Sequence, residues 1–251
     1  MNNSKKIYER YVRQIALSEV GKNGQKKLTQ SKILIVGLGG LGSPAVNYLA
    51  GAGIGTIGLL DNDRVEEGNL QRQIIYNTSS IGKFKSDECA FYLKKLNPYI
   101  KVRKFKCRFD DNCDDIVKDY DFVIDATDNV TTRLAIARIC HKFFIPYSHG
   151  GICKFYGQTM TVIPGKTACL GCLFENVIEE ENVGIGPMGF VPGIIGAIQA
   201  AEAIKFLLGI GSLLTNRVLI YDALNSSFRE IPIKRSRFCS ICAKKNKKEG
   251  K

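Results

Sequence analysis

The sequence predicts an α/β fold, a Rossmann-like, mostly parallel sheet with a C-terminal extension carrying a four-cysteine zinc site. Three features lead there. Short apolar runs alternate with amphipathic stretches between residues 32 and 148. The run Gly37-Leu-Gly-Gly-Leu-Gly42 falls where the first strand gives way to a helix, and two Cys-x-x-Cys pairs lie far apart in the last hundred residues. Alternation of this kind builds a parallel sheet covered on both faces, and a glycine-rich turn between strand and helix brings phosphate to a helix start.

Taken in order, residues 8–30 read as an amphipathic helical arm in which Tyr8, Tyr11, Ile15 and Leu17 stand among charged neighbours. The β-branched run 32–36 is the first strand. The helix after the glycines is expected to start at Ser43 as N-cap, with Pro44 in its first position. A second buried strand, 57–60, ends in Asp61, and a polar connection leads to a helix over 85–96 that Pro98 stops. Strands at 100–105, 121–125 and 144–148 alternate with helices near 113–118 and 131–142. Beyond them come a strand at 158–163, a Glu- and Gly-rich stretch at 175–193, a helix over 194–208 and strands near 217–221 and 228–233.

A chain of 251 residues with 45% hydrophobic content can bury the core of one main domain. Neither an uninterrupted apolar run of membrane-spanning length nor a secretory-type start is visible, so a cytoplasmic protein without a membrane partner is expected. The formal charge is +12, but residues 234–251 alone hold eight Lys or Arg against one Glu, or +7. Most of the excess is therefore read as a solvated terminus rather than a nucleic-acid surface, and the rest suits phosphates or an acidic protein partner.

The glycine set has a physical logic. Gly37 permits the tight turn, Gly39 lets phosphate approach the backbone, and Gly42 lets helix and strand pack closely. Asp61, nineteen positions after Gly42 and at the end of the next strand, suits ribose hydroxyls. A dinucleotide would satisfy these features as well as ATP does. The balance moves toward ATP with Asn69, Arg72 and Lys85, which bring donors and positive charge to neighbouring strand ends, as attack at an α-phosphorus requires. Asp128, after the strand ending at Asp125, could hold Mg²⁺ through oxygen ligation; alternatively Thr127 or Asp128 caps the helix beginning near Val130.

Cys169/Cys172 and Cys239/Cys242 have the spacing that lets each pair grip one tetrahedral Zn²⁺, and four thiolates leave no open position for catalysis. A redox role is disfavoured because neither pair lies at the start of an obvious thioredoxin-like helix. Cys89, Cys107, Cys113, Cys140 and Cys153 are expected to be buried packing residues. The two histidines, His141 and His149, are not needed as metal ligands; His149 is expected to be structural, with a place near the cleft as the alternative.

Assembled, these segments resemble the ThiF/MoeB/HesA group, bacterial relatives of ubiquitin-activating enzymes. The resemblance is carried by Arg10-Tyr-Val-Arg-Gln14, Gly37–Gly42, Leu59-Leu-Asp-Asn-Asp63, Asn69-Leu-Gln-Arg-Gln73, Ala126-Thr-Asp-Asn129, the paired cysteines and Gln199-Ala-Ala-Glu-Ala-Ile-Lys205. It implies a homodimer in which Arg13 reaches into the neighbour's ATP site, while Gly40, Asp61, Asn69, Arg72, Lys85 and Asp128 belong to the local one. It also implies an adenylyltransferase: the terminal glycine carboxylate of a ubiquitin-like sulfur-carrier protein attacks ATP, pyrophosphate leaves, and a thiocarboxylate follows. The domains implied are a helical arm (1–30), a nucleotide-binding core (31–165), a zinc-linked crossover and carrier-binding part (166–242) and a disordered basic tail (243–251).

Some relatives carry a cysteine after the first zinc pair that captures the carrier. Here Asn182 falls at that place and no cysteine lies between Cys172 and Cys239, so a separate persulfide donor is expected. Thiamin, molybdopterin and other carrier pathways fit equally well. The competing readings are a peptide-modifying adenylating enzyme, an NAD-dependent oxidoreductase, and a non-catalytic zinc module with a nucleic-acid-binding tail.

Overall fold

The computed structural model describes residues 3–174 and 186–243. Position 182 and the basic tail from 244 onward lie outside them.

Local chemistry places most elements where the pattern puts them. The apolar run after Ser31 forms β1 (Lys32–Val36), and α3 (Gly42–Ala52) follows the glycines. Then come β2 (Thr56–Leu60), α4 (Lys85–Leu96), β3 (Lys101–Phe105), α5 (Asp114–Val117), β4 (Phe122–Asp125) and α6 (Val130–Phe143). The chain continues through β5 (Tyr147–Cys153), β6 (Tyr156–Val162), α7 (Leu170–Phe174), α8 (Phe190–Leu208), β7 (Arg217–Asp222) and β8 (Ser227–Pro232).

Several expectations need correction. The arm is two helices, α1 (Asn3–Ile15) and α2 (Gly21–Gln30), broken where Gly21 adopts φ +56°; Tyr11 is buried, but Leu17 is exposed. Ser43 does not cap α3: it lies one residue inside, and its hydroxyl donates back to Gly39 O at 2.8 Å. The N-cap of α6 is Asn129, whose side chain accepts from Thr132 N, not Thr127 or Asp128. Strand β5 starts after Pro146 rather than at 144, because Phe144 ends α6 in the left-handed region at φ 55°. Helix α8 begins at Phe190, four residues before the expected start.

The eight strands of the described residues form one sheet in the order β3-β2-β1-β4-β5-β6-β7-β8. The first five are parallel, and β5 through β8 are antiparallel. Because the chain leaves β1 toward β2 and β3 and returns on the other side to β4, a crevice opens beyond the carboxyl ends of β1 and β4, where open α/β sheets bind ligands. Helices α3, α4 and α8 cover one face around Ile35, Leu49 and Ile195; α5, α6 and α7 cover the other around Val123, Ile136 and Tyr147. Each such fully buried aliphatic side chain contributes about 1.5–3 kcal/mol.

Among the described residues, only α8 is long and apolar enough to cross a membrane. It packs on α3, β5 and β6, with Gln199 and Glu202 buried against the sheet. Polar groups paired inside the protein mark it as a core helix.

Candidate active site

The glycine loop is built by backbone sterics. Gly37 stands at φ +90°, and a Cβ there would lie 2.6 Å from Ala126 O; a Cβ on Gly42 would lie 2.2 Å from Gly37 O. Neither position tolerates a side chain, so the turn is tight and abuts the loop after β4. Gly39 is roomier, facing the Gln73 amide at 3.5 Å, and Gly40 faces Pro192 and Arg72 Cδ.

Around this turn the fold gathers the expected polar groups. Asp61 follows β2 and is buried; its Oδ2 accepts from Leu38 N at 2.7 Å and its Oδ1 from Asp63 N at 2.8 Å. Burial raises its pKa, against the two amide bonds and the Lys85 charge. Lys85, the first residue of α4, is buried with its ammonium 2.9 Å from Asp63 Oδ2. Tyr76 ties the two sides together, its hydroxyl donating to Leu38 O at 3.0 Å, and burial pushes the phenol pKa up so that it stays a donor. Asn69 accepts from Glu66 N and closes a 3-10 turn that sets Arg72, whose guanidinium donates to Gly68 O at 3.0 Å. Gln73, the last residue of the Asn69–Gln73 motif, is buried with its Oε1 unpartnered among the described residues.

The loop after β4 closes the crevice. Asp128 is exposed at its tip, accepting from Asn129 Nδ2 at 3.3 Å. Behind it Asp125 is fully buried and bonded to His149 Nδ1 at 2.8 Å. His149 is thus a buried partner of Asp125, and it adjoins the crevice loop.

Arg13 is the predicted site residue that this chain does not bring to the crevice. It is exposed in the last turn of α1. That helix is anchored at the far end of α3, where Gln14 donates to Ala52 O at 2.8 Å and Tyr11 lies against Gly53. Eleven residues of α3, roughly 16 Å of helix, separate that anchor from the glycine turn.

The four cysteines of the paired motifs converge, with all four Sγ atoms within 4.8 Å of one another. Cys169–Cys172, Cys169–Cys239 and Cys172–Cys242 are 4.0, 3.5 and 3.3 Å apart. Zinc–sulfur bonds of about 2.3 Å in a tetrahedron require sulfurs roughly 3.8 Å apart, so the donor set fits Zn²⁺. Cys169 directly precedes α7, a helix of only five residues; the second pair packed on it leaves the thiols facing each other. Burial pushes the Cys242 thiol up to about 11. Of the remaining cysteines, Cys89, Cys113 and Cys140 are buried and Cys107 is half-buried, but Cys153 is exposed, since it ends β5 at a hairpin turn.

A family model described as ThiF family matches residues 11–242. The chain is 39% identical over 239 residues to the SAMP-activating enzyme E1 of Haloferax volcanii, covering 93% of this chain and 88% of that one. It is 36% identical to the sulfur carrier protein adenylyltransferase of Thermus thermophilus, covering 95% and 92%. With adenylyltransferase and sulfurtransferase MOCS3 of Culex quinquefasciatus it shares 42% identity over 93% of its own length but only 55% of the relative's, so it spans about half of that protein. Among solved structures, E. coli MccB with MccA-N7isoASN superposes with a TM-score of 0.81 at 27% identity, covering 96% of this chain and 75% of that one.

Proposed function

The chain belongs to the ThiF family, and on that premise we propose that it is an ATP-dependent adenylyltransferase acting on the C-terminal glycine carboxylate of a ubiquitin-like sulfur-carrier protein. The observation that carries the reading is the convergence of the glycine turn, Asp61, Arg72 and Lys85 on one crevice at the ends of β1, β2 and β4. Its support in kinship is the high identity, over nearly full length, to relatives named for activating SAMP and sulfur carrier protein.

The chemistry needs no enzyme nucleophile, because the substrate carboxylate attacks the α-phosphorus itself and pyrophosphate leaves. What the protein supplies is position and charge. Gly37, Gly39, Gly40 and Gly42 would admit the phosphates to the backbone at the start of α3, where unpaired amides attract anions. Asp61, already oriented by two amides, would hold the ribose, and Asn69 would add a donor at the phosphates. Arg72 and Lys85 would offset negative charge as the bond to pyrophosphate breaks, Lys85 exchanging Asp63 for phosphate. Mg²⁺, when bound, screens charge between phosphates, and Asp128 would be its protein ligand.

The same reading makes the protein a cytoplasmic homodimer in which Arg13 completes the partner's crevice. A Zn²⁺ held by Cys169, Cys172, Cys239 and Cys242 would join the C-terminal part, 166–242, to the core, 31–165. Sulfur would come from a separate persulfide donor, since the sequence has no cysteine between Cys172 and Cys239. The decisive measurement is ATP–pyrophosphate exchange with purified carrier proteins. Exchange is expected to require an intact terminal Gly-Gly; exchange supported by a short peptide instead, or redox turnover of a nicotinamide, would overturn the assignment.

A further inference from the structure

We propose that the buried Asp125–His149 pair is a positioning device for the loop 126–128, holding Asp128 where it meets the metal–nucleotide complex. The inference rests on the adenylation reading for the role of Asp128, but the clamp itself is visible in the free protein.

Asp125 and His149 are register partners on the adjacent parallel strands β4 and β5, and both side chains are fully buried. A carboxylate removed from water is costly unless its lone pairs are used. Here Oδ1 accepts from Thr127 N at 3.1 Å and from Thr127 Oγ1 at 2.7 Å, while Oδ2 accepts from His149 Nδ1 at 2.8 Å. One carboxylate therefore joins the neighbouring strand to the loop that follows its own.

Among the described residues the imidazole makes one hydrogen bond: its Nε2 is buried with no partner among them, and its ring stands edge-to-face with Phe174 at 5.6 Å between centroids. Burial depresses the His149 pKa, so the ring is neutral with its proton on Nδ1. At Asp125 burial works toward protonation, but the bond from His149, the Arg133 charge and the Thr127 hydroxyl outweigh it and hold the carboxyl ionised.

The loop backbone is secured to match. Gln199 Nε2 from α8 donates to Asp125 O at 2.8 Å and Ser148 O at 3.1 Å, Ala126 N donates to Val36 O at 2.9 Å, and Arg133 donates to Thr127 O at 2.8 Å. Elements β1, β5, α6 and α8 all grip residues 125–127. Asp128 is the exposed residue at the end of that clamp.

The test uses the full chain with three variants. His149→Leu keeps apolar bulk and removes the donor; His149→Asn restores an N–H near the Nδ1 position; Thr127→Val removes the second side-chain donor and guards against misfolding of the leucine variant. Backbone hydrogen exchange of peptides spanning 122–130 should quicken at least about tenfold in His149→Leu and Thr127→Val, with peptides over β1 unchanged, as expected for local opening. The half-saturating Mg²⁺ for ATP–pyrophosphate exchange should rise roughly 10-fold in the same two variants, as loss of an outer-shell partner does, and return to within about threefold of wild type in His149→Asn.

Unchanged hydrogen exchange in His149→Leu, or no rescue by asparagine, overturns the clamp. Loosened exchange with wild-type Mg²⁺ dependence overturns its link to Asp128. A wild-type protein that performs no Mg·ATP-dependent exchange removes the adenylation reading instead, and hydrogen exchange still decides the clamp.

Discussion

The crevice at the ends of β1, β2 and β4 and the thiol cluster between residues 169–172 and 239–242 are both polar sites on one sheet, yet they are built in opposite ways. The crevice is shaped by what is missing: no Cβ fits at Gly37 or Gly42. One of its cations keeps an exchangeable partner, Lys85 on the exposed Asp63. The cluster is shaped by what is present, four sulfurs facing one another across 70 residues of sequence, with Arg235 donating to Gly165 O at 3.0 Å beside it. A site that must admit and release a ligand is left with unused bonding capacity. A closed set of four thiols, which would staple the chain through one metal ion, leaves no open position for a ligand.

The contrast can be broken by crossing the roles. The largest effect belongs to the staple: Cys239→Ser should abolish bound zinc, measured by metal analysis, and lower stability by several kcal/mol, roughly 10–20 °C in Tm. Nucleotide affinity at 25 °C should change little. If zinc loss removed exchange activity without lowering Tm, the cluster would have to be reassigned to the chemistry.

Next come the crevice cations. Arg72→Ala and Lys85→Ala should each slow ATP–pyrophosphate exchange by roughly 10²–10³-fold, the size of a lost transition-state charge contact. Zinc content and Tm should stay near wild type. The placement of Arg13 outside its own crevice sharpens this further. In an equal mixture of Arg13→Ala and Arg72→Ala proteins, half the dimers are hybrids and one of the two sites in each is intact, so about a quarter of wild-type activity should return. No recovery would mean that Arg13 does not serve the partner's site.

The smallest effect is electrostatic. Asp61 has its folded pKa raised above the ordinary 3.8 by burial. A raised folded pKa means that the folded chain binds this proton more tightly than the unfolded chain. Asp61 therefore lowers stability as pH climbs from about 3.8 through the raised value and adds nothing further above it. Urea midpoints of wild type measured against Asp61→Asn should shift in favour of wild type as pH falls through that window; a shift of opposite sign would show that the two amide bonds outweigh burial.

Legibility in the sequence followed the range of the forces. The bounds of β1 and α4 were readable to the residue because an apolar run and a proline stop are local signals. The glycine turn, Asp61 and the cysteine pairs were equally plain, since their spacing is the chemistry. Caps were less so: Asn129 rather than Thr127 or Asp128 caps α6 because Asp125 already occupies the Thr127 hydroxyl. The continuation of β5 through Gly150 and Gly151 was hidden because two glycines weaken any strand signal, and only pairing with β6 sustains it. Nothing in the spacing of Asp125 and His149, 24 residues apart, announced a contact.

By itself, then, the sequence determined the order of strands and helices, the phosphate-admitting turn and the two Cys-x-x-Cys pairs, because each depends on side chains within a few positions of one another. Only the tertiary structure decided which loops share the crevice, that Arg13 stands away from it, and that a neutral histidine supports the carboxylate behind Asp128. Those relations depend on strand register and on helices crossing between sheet faces, and both are set by burial of distant apolar surfaces against one another rather than by any local pattern.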